Sequence, residues 1–351
     1  MISCVYLSCL YPFCFRLTLN FPGGGFIAMP PQFHTDYLTL IALRTRTPIL
    51  SVDYRKAIHH PYPAQLLDCF DVYKAITDTA GAAVGVNLVQ SETSPTSAPA
   101  PASATAPAPA TAKPLKLVVF GDSAGGNLSC AVVLRAVILG MPLPCGLHLI
   151  YPILDMTSRF WKPQTHIKLQ PSNTNNKNNN NNTASSSSKT DSGNGSTYVV
   201  IPPAPPGSAS DTFATALAAN GASSDPITTL RPPEMTSRAR FSGDAVLPFR
   251  YLLVIGQSLF RGGGDPTGDM YCSPLLAPDA LLARFPPTFM HVGGVDPLCD
   301  DAVNLGERLK RANPAIPVKV DVIPGVSHAY MNVASLLPEV RDLVSCLKQD
   351  S

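Results

Sequence analysis

The stretch Val118-Val119-Phe120-Gly121-Asp122-Ser123-Ala124-Gly125-Gly126-Asn127 decides how the rest of the chain is read. The apolar run Leu115 to Phe120 has the length and composition of a buried strand, and Leu128 to Leu139 continues as a helix. Between them lies Gly-x-Ser-x-Gly, the pattern of a nucleophile elbow. The turn from strand to helix is so tight that the serine backbone is strained, and glycines two residues to either side remove the side chains that would collide there. The Ser123 hydroxyl is then displayed above the sheet, and the Ala124 N–H can face a developing oxyanion. An anion-binding strand–helix turn is the bland alternative. A phosphate loop would carry Lys after its last glycine, whereas Asn127 follows Gly126.

Working outward, strand-like segments recur with helical ones between them. Strands are expected at Arg16 to Phe21, Pro48 to Asp53, Cys145 to Tyr151, Thr288 to Val292 and Val318 to Ile323. Helices are expected at Thr35 to Arg44, Ala64 to Thr77, Asp300 to Ala312 and Asn332 to Lys348, whose apolar residues fall at helical spacing. Phe249 to Ile255 is apolar but too short to assign. Alternating strands and helices imply an α/β fold, a mostly parallel sheet covered on both faces.

Two tracts interrupt this pattern. Residues 90–114 are rich in Ala, Pro, Thr and Ser and read as a linker. Residues 171–233 hold runs of Asn and Ser and a Pro-rich piece, and read as a disordered insertion. One domain is therefore expected in two parts, 16–170 and 234–351, behind an atypical apolar segment, 1–15.

The 351 residues are 45% hydrophobic, enough for a sizeable core, and only 14% charged with a formal net charge of +2. No nucleic-acid partner is indicated by that balance. Nine cysteines without a C-x-x-C pair fit neither a disulfide framework nor a zinc site, and favour a cytoplasmic setting. No run reaches the ~18 apolar residues of a membrane span. Met1 to Phe15 lacks the basic start and small-residue cleavage site of a secretory signal.

A serine hydroxyl needs a base, and the base needs a carboxylate to orient it. In this strand order the acid precedes the histidine, both in loops that follow strands. Asp296 follows the strand ending at Val292, and His328 follows the strand ending at Ile323. His291 lies inside an apolar strand and reads as packing. Asp300 and Asp301 read as the cap and first turn of the next helix. Gly23-Gly24-Gly25, after the first strand, can supply further N–H donors for the oxyanion.

These segments resemble hormone-sensitive lipase and its esterase relatives among the α/β-hydrolases. The resemblance rests on Phe21-Pro22-Gly23-Gly24-Gly25-Phe26, Ser51-Val52-Asp53-Tyr54-Arg55 with Pro61-Tyr62-Pro63-Ala64, the elbow itself, Tyr271-Cys272-Ser273-Pro274-Leu275-Leu276-Ala277-Pro278, and Asp296-Pro297-Leu298-Cys299-Asp300-Asp301. It implies an α/β-hydrolase fold, a triad of Ser123, Asp296 and His328, and an oxyanion hole of Gly24, Gly25 and Ala124. It further implies hydrolysis of lipid or other acyl esters through an acyl-enzyme, with no metal or organic cofactor. Transient contact with a lipid surface, including a lipid droplet, fits that branch, as does a long insertion ahead of the acid and base. The alternatives are a short-chain esterase or deacetylase, and a catalytically impaired binding protein on the same fold. The family's loop opens with histidine, where this chain has Pro22. Proline offers neither a side-chain donor nor an N–H, so the glycine loop is expected to lose an anchor.

Overall fold

The computed structural model describes residues 3–7, 16–84, 115–157, 236–263 and 268–333. The linker 90–114 and the insertion 171–233 lie outside the described residues. So does nearly all of the helix expected over Asn332 to Lys348, whose start is described as a short 3-10 turn, Tyr330–Val333.

In chain order the elements are β1 (Ser3–Leu7), β2 (Arg16–Phe21), α1 (Thr35–Thr45), β3 (Ile49–Asp53), α2 (Ala64–Asp78), β4 (Lys116–Asp122) and α3 (Ala124–Ile138). After these come β5 (Gly146–Ile150), α4 (Ser237–Arg240), α5 (Phe249–Leu259), α6 (Asp279–Leu282), β6 (Thr288–Gly293), α7 (Cys299–Ala312) and β7 (Val318–Ile323). The strands form one sheet in the order β1-β3-β2-β4-β5-β6-β7. All neighbours run parallel except β1, which pairs antiparallel with β3, Ser3 opposite Asp53. The chain belongs to the α/β class read from the sequence. The N-terminal segment differs from the expectation: instead of lying outside the domain, it supplies the edge strand, and Cys4-Val5-Tyr6 is a run suited to one. Phe249 to Leu259, left unassigned by its short apolar run, is a helix that buries Leu252, Ile255 and Leu259.

Strand side chains alternate between the two faces of the sheet. On one face Val119, Leu149, Met290 and Val320 meet α3 and α7; a Cβ on Gly306 of α7 would lie 2.3 Å from Val320 and 3.2 Å from Met290. The other face carries Thr18, Val118, Phe120 and His148, and α1 covers part of it, with the Tyr37 ring 6.3 Å from that of Phe120. Burial of His148 drives its imidazole down to about 4, so the ring sits neutral in the interior. α3 is buried along almost its whole length, from Ala124 to Val137. That is why its sequence is apolar on all sides rather than striped. Site-bearing loops all leave the carboxyl ends of β2, β4, β6 and β7, the edge where open parallel sheets place their ligands.

Candidate active site

At the end of β4 the chain turns into α3 through Ser123, whose backbone sits at φ 52°, ψ −116°. An L-residue there is strained, and the surroundings hold it in place. Ser123 N–H donates to Ile150 O at 2.9 Å, and the Ser123 carbonyl accepts from Ile153 N and Asn127 N. Both elbow glycines are required by contact. A Cβ on Gly121 would fall 2.3 Å from Gly125 O, and one on Gly125 would fall 1.7 Å from Phe21 O. Asn127, where a phosphate loop would have lysine, uses its amide to donate to Ile153 O and Cys272 O at 2.9 and 2.7 Å. It ties the new helix to two later loops.

Asp296 and His328 converge on this serine. The His328 Nε2 lies 3.0 Å from Ser123 Oγ, and Nδ1 lies 2.9 Å from Asp296 Oδ2. The second oxygen of Asp296 accepts the Leu298 N–H at 2.7 Å, so the carboxylate is fixed from both sides. Asp296 is wholly buried and His328 nearly so, while Ser123 is half-buried and reachable. The Tyr151 ring packs on the imidazole with centroids 4.7 Å apart, and Tyr330 stands edge-on to Tyr151. The loops of Asp296 and His328 also touch through the backbone, Val295 N–H donating to Val326 O. His291, read as packing, is buried in β6 with Nδ1 3.4 Å from Asp321.

The glycine loop lies beside the elbow. Gly24 and Gly25 have φ of 109° and 62°, both in the left-handed region that favours glycine. Among the described residues their N–H groups find no acceptor, and the Ala124 N–H stands unpaired in the first turn of α3. These are the three N–H groups named from the sequence. The anchoring of the loop departs from expectation. The Gly23 N–H donates to Asp122 Oδ1 at 2.9 Å, and Tyr54 OH donates to Pro22 O at 2.8 Å. The Ala57 N–H holds Phe26 O. The loop thus keeps its anchors although position 22 is proline, because they grip backbone atoms and do not need a side chain there.

Asp122 is the hub of this arrangement. Besides Gly23 it accepts from Tyr37 OH at 2.9 Å, and the buried His34 ring approaches its Oδ2 to 3.6 Å. Burial works to raise this carboxyl, but His34, Tyr37 and Gly23 outweigh it and hold Asp122 below the ordinary carboxylate value. The Tyr37 phenol is pushed well up, by burial first and then by the Asp122 charge. Sequence reasoning passed over Asp122 although it stands inside the elbow motif. Its partners come from α1 and the glycine loop, so its role was visible only once those elements were adjacent.

Asp301 holds a second buried carboxylate beside the site. It does lie in the first turn of α7, but it is buried rather than merely favouring the helix dipole. Its Oδ2 accepts from Leu154 N, Asp155 N and Arg238 Nη2 at 2.7, 3.1 and 2.6 Å. Burial raises this carboxyl to about 6; Arg238 and the two N–H donors oppose that rise, and the nearby Asp155 adds to it. Among the described residues no group of three or more His, Cys, Asp or Glu could hold a metal ion.

The model of a family described as having the α/β-hydrolase fold matches residues 18–194 and 214–332. The chain belongs to the α/β-hydrolase family. Within it, this α/β-hydrolase is 30% identical over 142 residues to hormone-sensitive lipase of Mus musculus, a match covering 40% of this chain and 15% of the lipase. It is 31% identical over 142 residues to an esterase of Acinetobacter venetianus, covering 40% of this chain and 37% of that one. The matched stretches therefore span well under half of either relative. Among solved structures, carboxyl esterase 2 from the fungus Tuber melanosporum superposes with a TM-score of 0.63 at 18% identity, over 99% of this chain and 81% of that one. A hormone-sensitive lipase from a metagenome library superposes with a TM-score of 0.61 at 19% identity, over 99% and 80%. The fold is common to this chain and the two solved structures, and the motif resemblance agrees with the names of the relatives.

Proposed function

We propose that this α/β-hydrolase cleaves carboxylic esters through an acyl-enzyme. The observation that carries the reading is the unbroken line from Ser123 Oγ through His328 to the buried Asp296, with contacts of 3.0 and 2.9 Å. His328 Nε2 takes the serine proton as Oγ attacks the acyl carbon, and Asp296 stabilises the imidazolium that results. Charge then gathers on the former carbonyl oxygen, where the N–H groups of Gly24, Gly25 and Ala124 receive it. The imidazolium returns its proton to the leaving alcohol. A water molecule, deprotonated by the same ring, attacks the acyl group and releases the acid and free Ser123.

Substrates are acyl esters, lipids among them, acted on in the cytoplasm or at a lipid surface. The names of the relatives, a hormone-sensitive lipase and an esterase, support this class, and the long low-complexity stretch between the elbow half and the Asp296–His328 half favours the lipase branch over a short-chain esterase or deacetylase. Among the described residues no helix is long and apolar enough to cross a membrane.

The test is single-turnover chemistry with p-nitrophenyl esters of increasing acyl length. A burst of p-nitrophenol equal to the protein present, and covalent labelling by a serine-directed phosphonate that Ser123→Ala abolishes, are expected. A folded chain that gives neither is a binding protein on this fold.

A further inference from the structure

The residues after the insertion, Thr236 to Leu247, lie across the two loops that carry the acid and the base. At one end the strap grips the acid loop. Ser237 Oγ donates to Pro297 O at 2.7 Å and accepts the Asp300 N–H at 3.1 Å, while the Ser237 N–H donates to Asp300 Oδ2 at 2.7 Å. Next to it, the buried Arg238 pairs with Asp301, whose carboxylate also holds the backbone of Leu154 and Asp155 beyond β5. At the other end the strap reaches the base loop. Ser327 Oγ donates to Asp244 Oδ2, and accepts the His328 N–H at 2.6 Å. The other oxygen of Asp244 accepts from Val246 N and Leu247 N at 2.9 and 2.7 Å, so the carboxylate is fixed in a turn of its own.

From this geometry we infer that Asp244 is a positioning residue for His328, acting through Ser327, and that Ser237 and Arg238 give it a footing on the loop of Asp296. This rests on the ester-hydrolase reading above. The physical need is plain. Asp296 and His328 come from different strands, and proton transfer demands that Nδ1 and Nε2 both stay within hydrogen-bond reach while the ring gains and loses charge. His328 has a left-handed neighbour, Ala329 at φ 58°, and sits in a loop whose Gly325 also has positive φ. Such a loop has several backbone options. A carboxylate that grips the residue before the base removes most of them, and the strap ties that grip to the loop of the acid. One segment thereby sets the separation of the two partners.

The experiment compares Asp244→Ala, Ser327→Ala and the double variant with the unchanged chain. For each, the p-nitrophenol burst counts competent sites, and kcat per site, KM and the pH profile of kcat/KM are measured. Expected is a fall in kcat per site of about tenfold in each single variant and KM within about twofold. The double variant should be no worse than the poorer single, because both act along one path. The acidic limb of the pH profile should also move to lower pH, since an imidazolium less well held by Asp296 loses its proton more readily. Ser327→Ala removes only a hydroxyl, and keeps the test open should Asp244→Ala fold poorly. Arg238→Lys, which keeps a charge against Asp301, should fall between the unchanged chain and Arg238→Ala. A burst amplitude that drops with unchanged kcat per site and an unmoved acidic limb would mean the strap only stabilises the fold, and overturns the inference. Variants indistinguishable from the unchanged chain overturn it too. If the unchanged chain gives neither turnover of the esters nor phosphonate labelling of Ser123, the ester-hydrolase reading falls first and takes this inference with it.

Discussion

The elbow and the acid–base side of the site are built in opposite ways. The elbow is local. Within ten residues β4 ends, Ser123 takes its strained conformation, Gly121 admits the close approach of the Gly125 backbone, and α3 begins; the one distant partner is Phe21 of the adjacent β2, whose backbone Gly125 admits. The acid–base side is assembled from distance. Asp296 and His328 lie 32 residues apart, and the strap that touches both loops arrives from 63 and 83 residues away. A local device is specified by hard contacts that leave no alternative. A device assembled from distance is specified by many modest hydrogen bonds, each contributing about 0.5–1.5 kcal/mol. The first should fail abruptly on a single change and the second gradually.

The largest effect should come from the pair that joins the two halves. Ser123→Ala and His328→Ala are each expected to lower kcat by about four to six orders of magnitude, and the double variant should be little worse than either. Losses that multiply in the double variant would mean that the two residues do not work as a unit, and would dissolve the connection between the regions.

Next is Gly125→Ala, the sharpest test of the elbow as a hard-contact device. A methyl group 1.7 Å from Phe21 O cannot be accommodated without moving β2 or α3. Destabilisation above about 4 kcal/mol, the mark of forced overpacking, is expected in chemical unfolding. A folded variant with a near-normal midpoint would show that the elbow relaxes, and that its tightness is not what holds the serine.

A smaller effect is expected at Asp122, which belongs to the elbow but faces outward to α1 and the glycine loop. Asp122→Asn should lower kcat about tenfold with little change in KM, because the loop it holds serves an oxyanion that exists only in the transition state. Pro22→His should leave kcat within about twofold, since Tyr54 and Asp122 already hold Pro22 O and Gly23 N. A large gain from Pro22→His, or none of the loss from Asp122→Asn, would restore the expectation that proline weakens the loop.

The smallest effect concerns pH and the acid–base side. Asp301 is raised to about 6 by burial, against an ordinary value near 3.8. Between roughly pH 4 and 6 the unfolded chain has lost this proton while the folded chain keeps it, so the folded state binds more protons. Its contribution therefore makes folding less stable as pH rises across that window. The charged groups facing it are Arg238, which opposes the shift, and Asp155, which adds to it. The melting temperature of Asp301→Asn should thus decline less between pH 4 and 6 than that of the unchanged chain. Parallel curves would mean that the Arg238 pair and the Leu154 and Asp155 N–H groups keep Asp301 ionised throughout.

The sequence by itself determined the parts that depend on near neighbours. Alternating strands and helices follow from apolar periodicity, which responds to local burial. The elbow is read from glycine spacing, although only the Gly121 contact lies within the turn and the Gly125 contact is with Phe21 of β2. Even Asp296 and His328 could be named, because chain order and placement after a strand are one-dimensional facts. Only the tertiary structure decided the rest. Ser3 to Leu7 carries no sign of pairing with β3 in its sequence, since an edge strand is defined by its neighbour. Arg238, Asp244 and Ser327 have no motif, and their roles exist only where loops distant in sequence come within 3 Å. The anchors of the loop at Pro22 are hidden from the sequence for the same reason. The atoms that hold its loop belong to Tyr54 and Asp122, and a hydrogen bond to backbone leaves no mark on the residue that receives it.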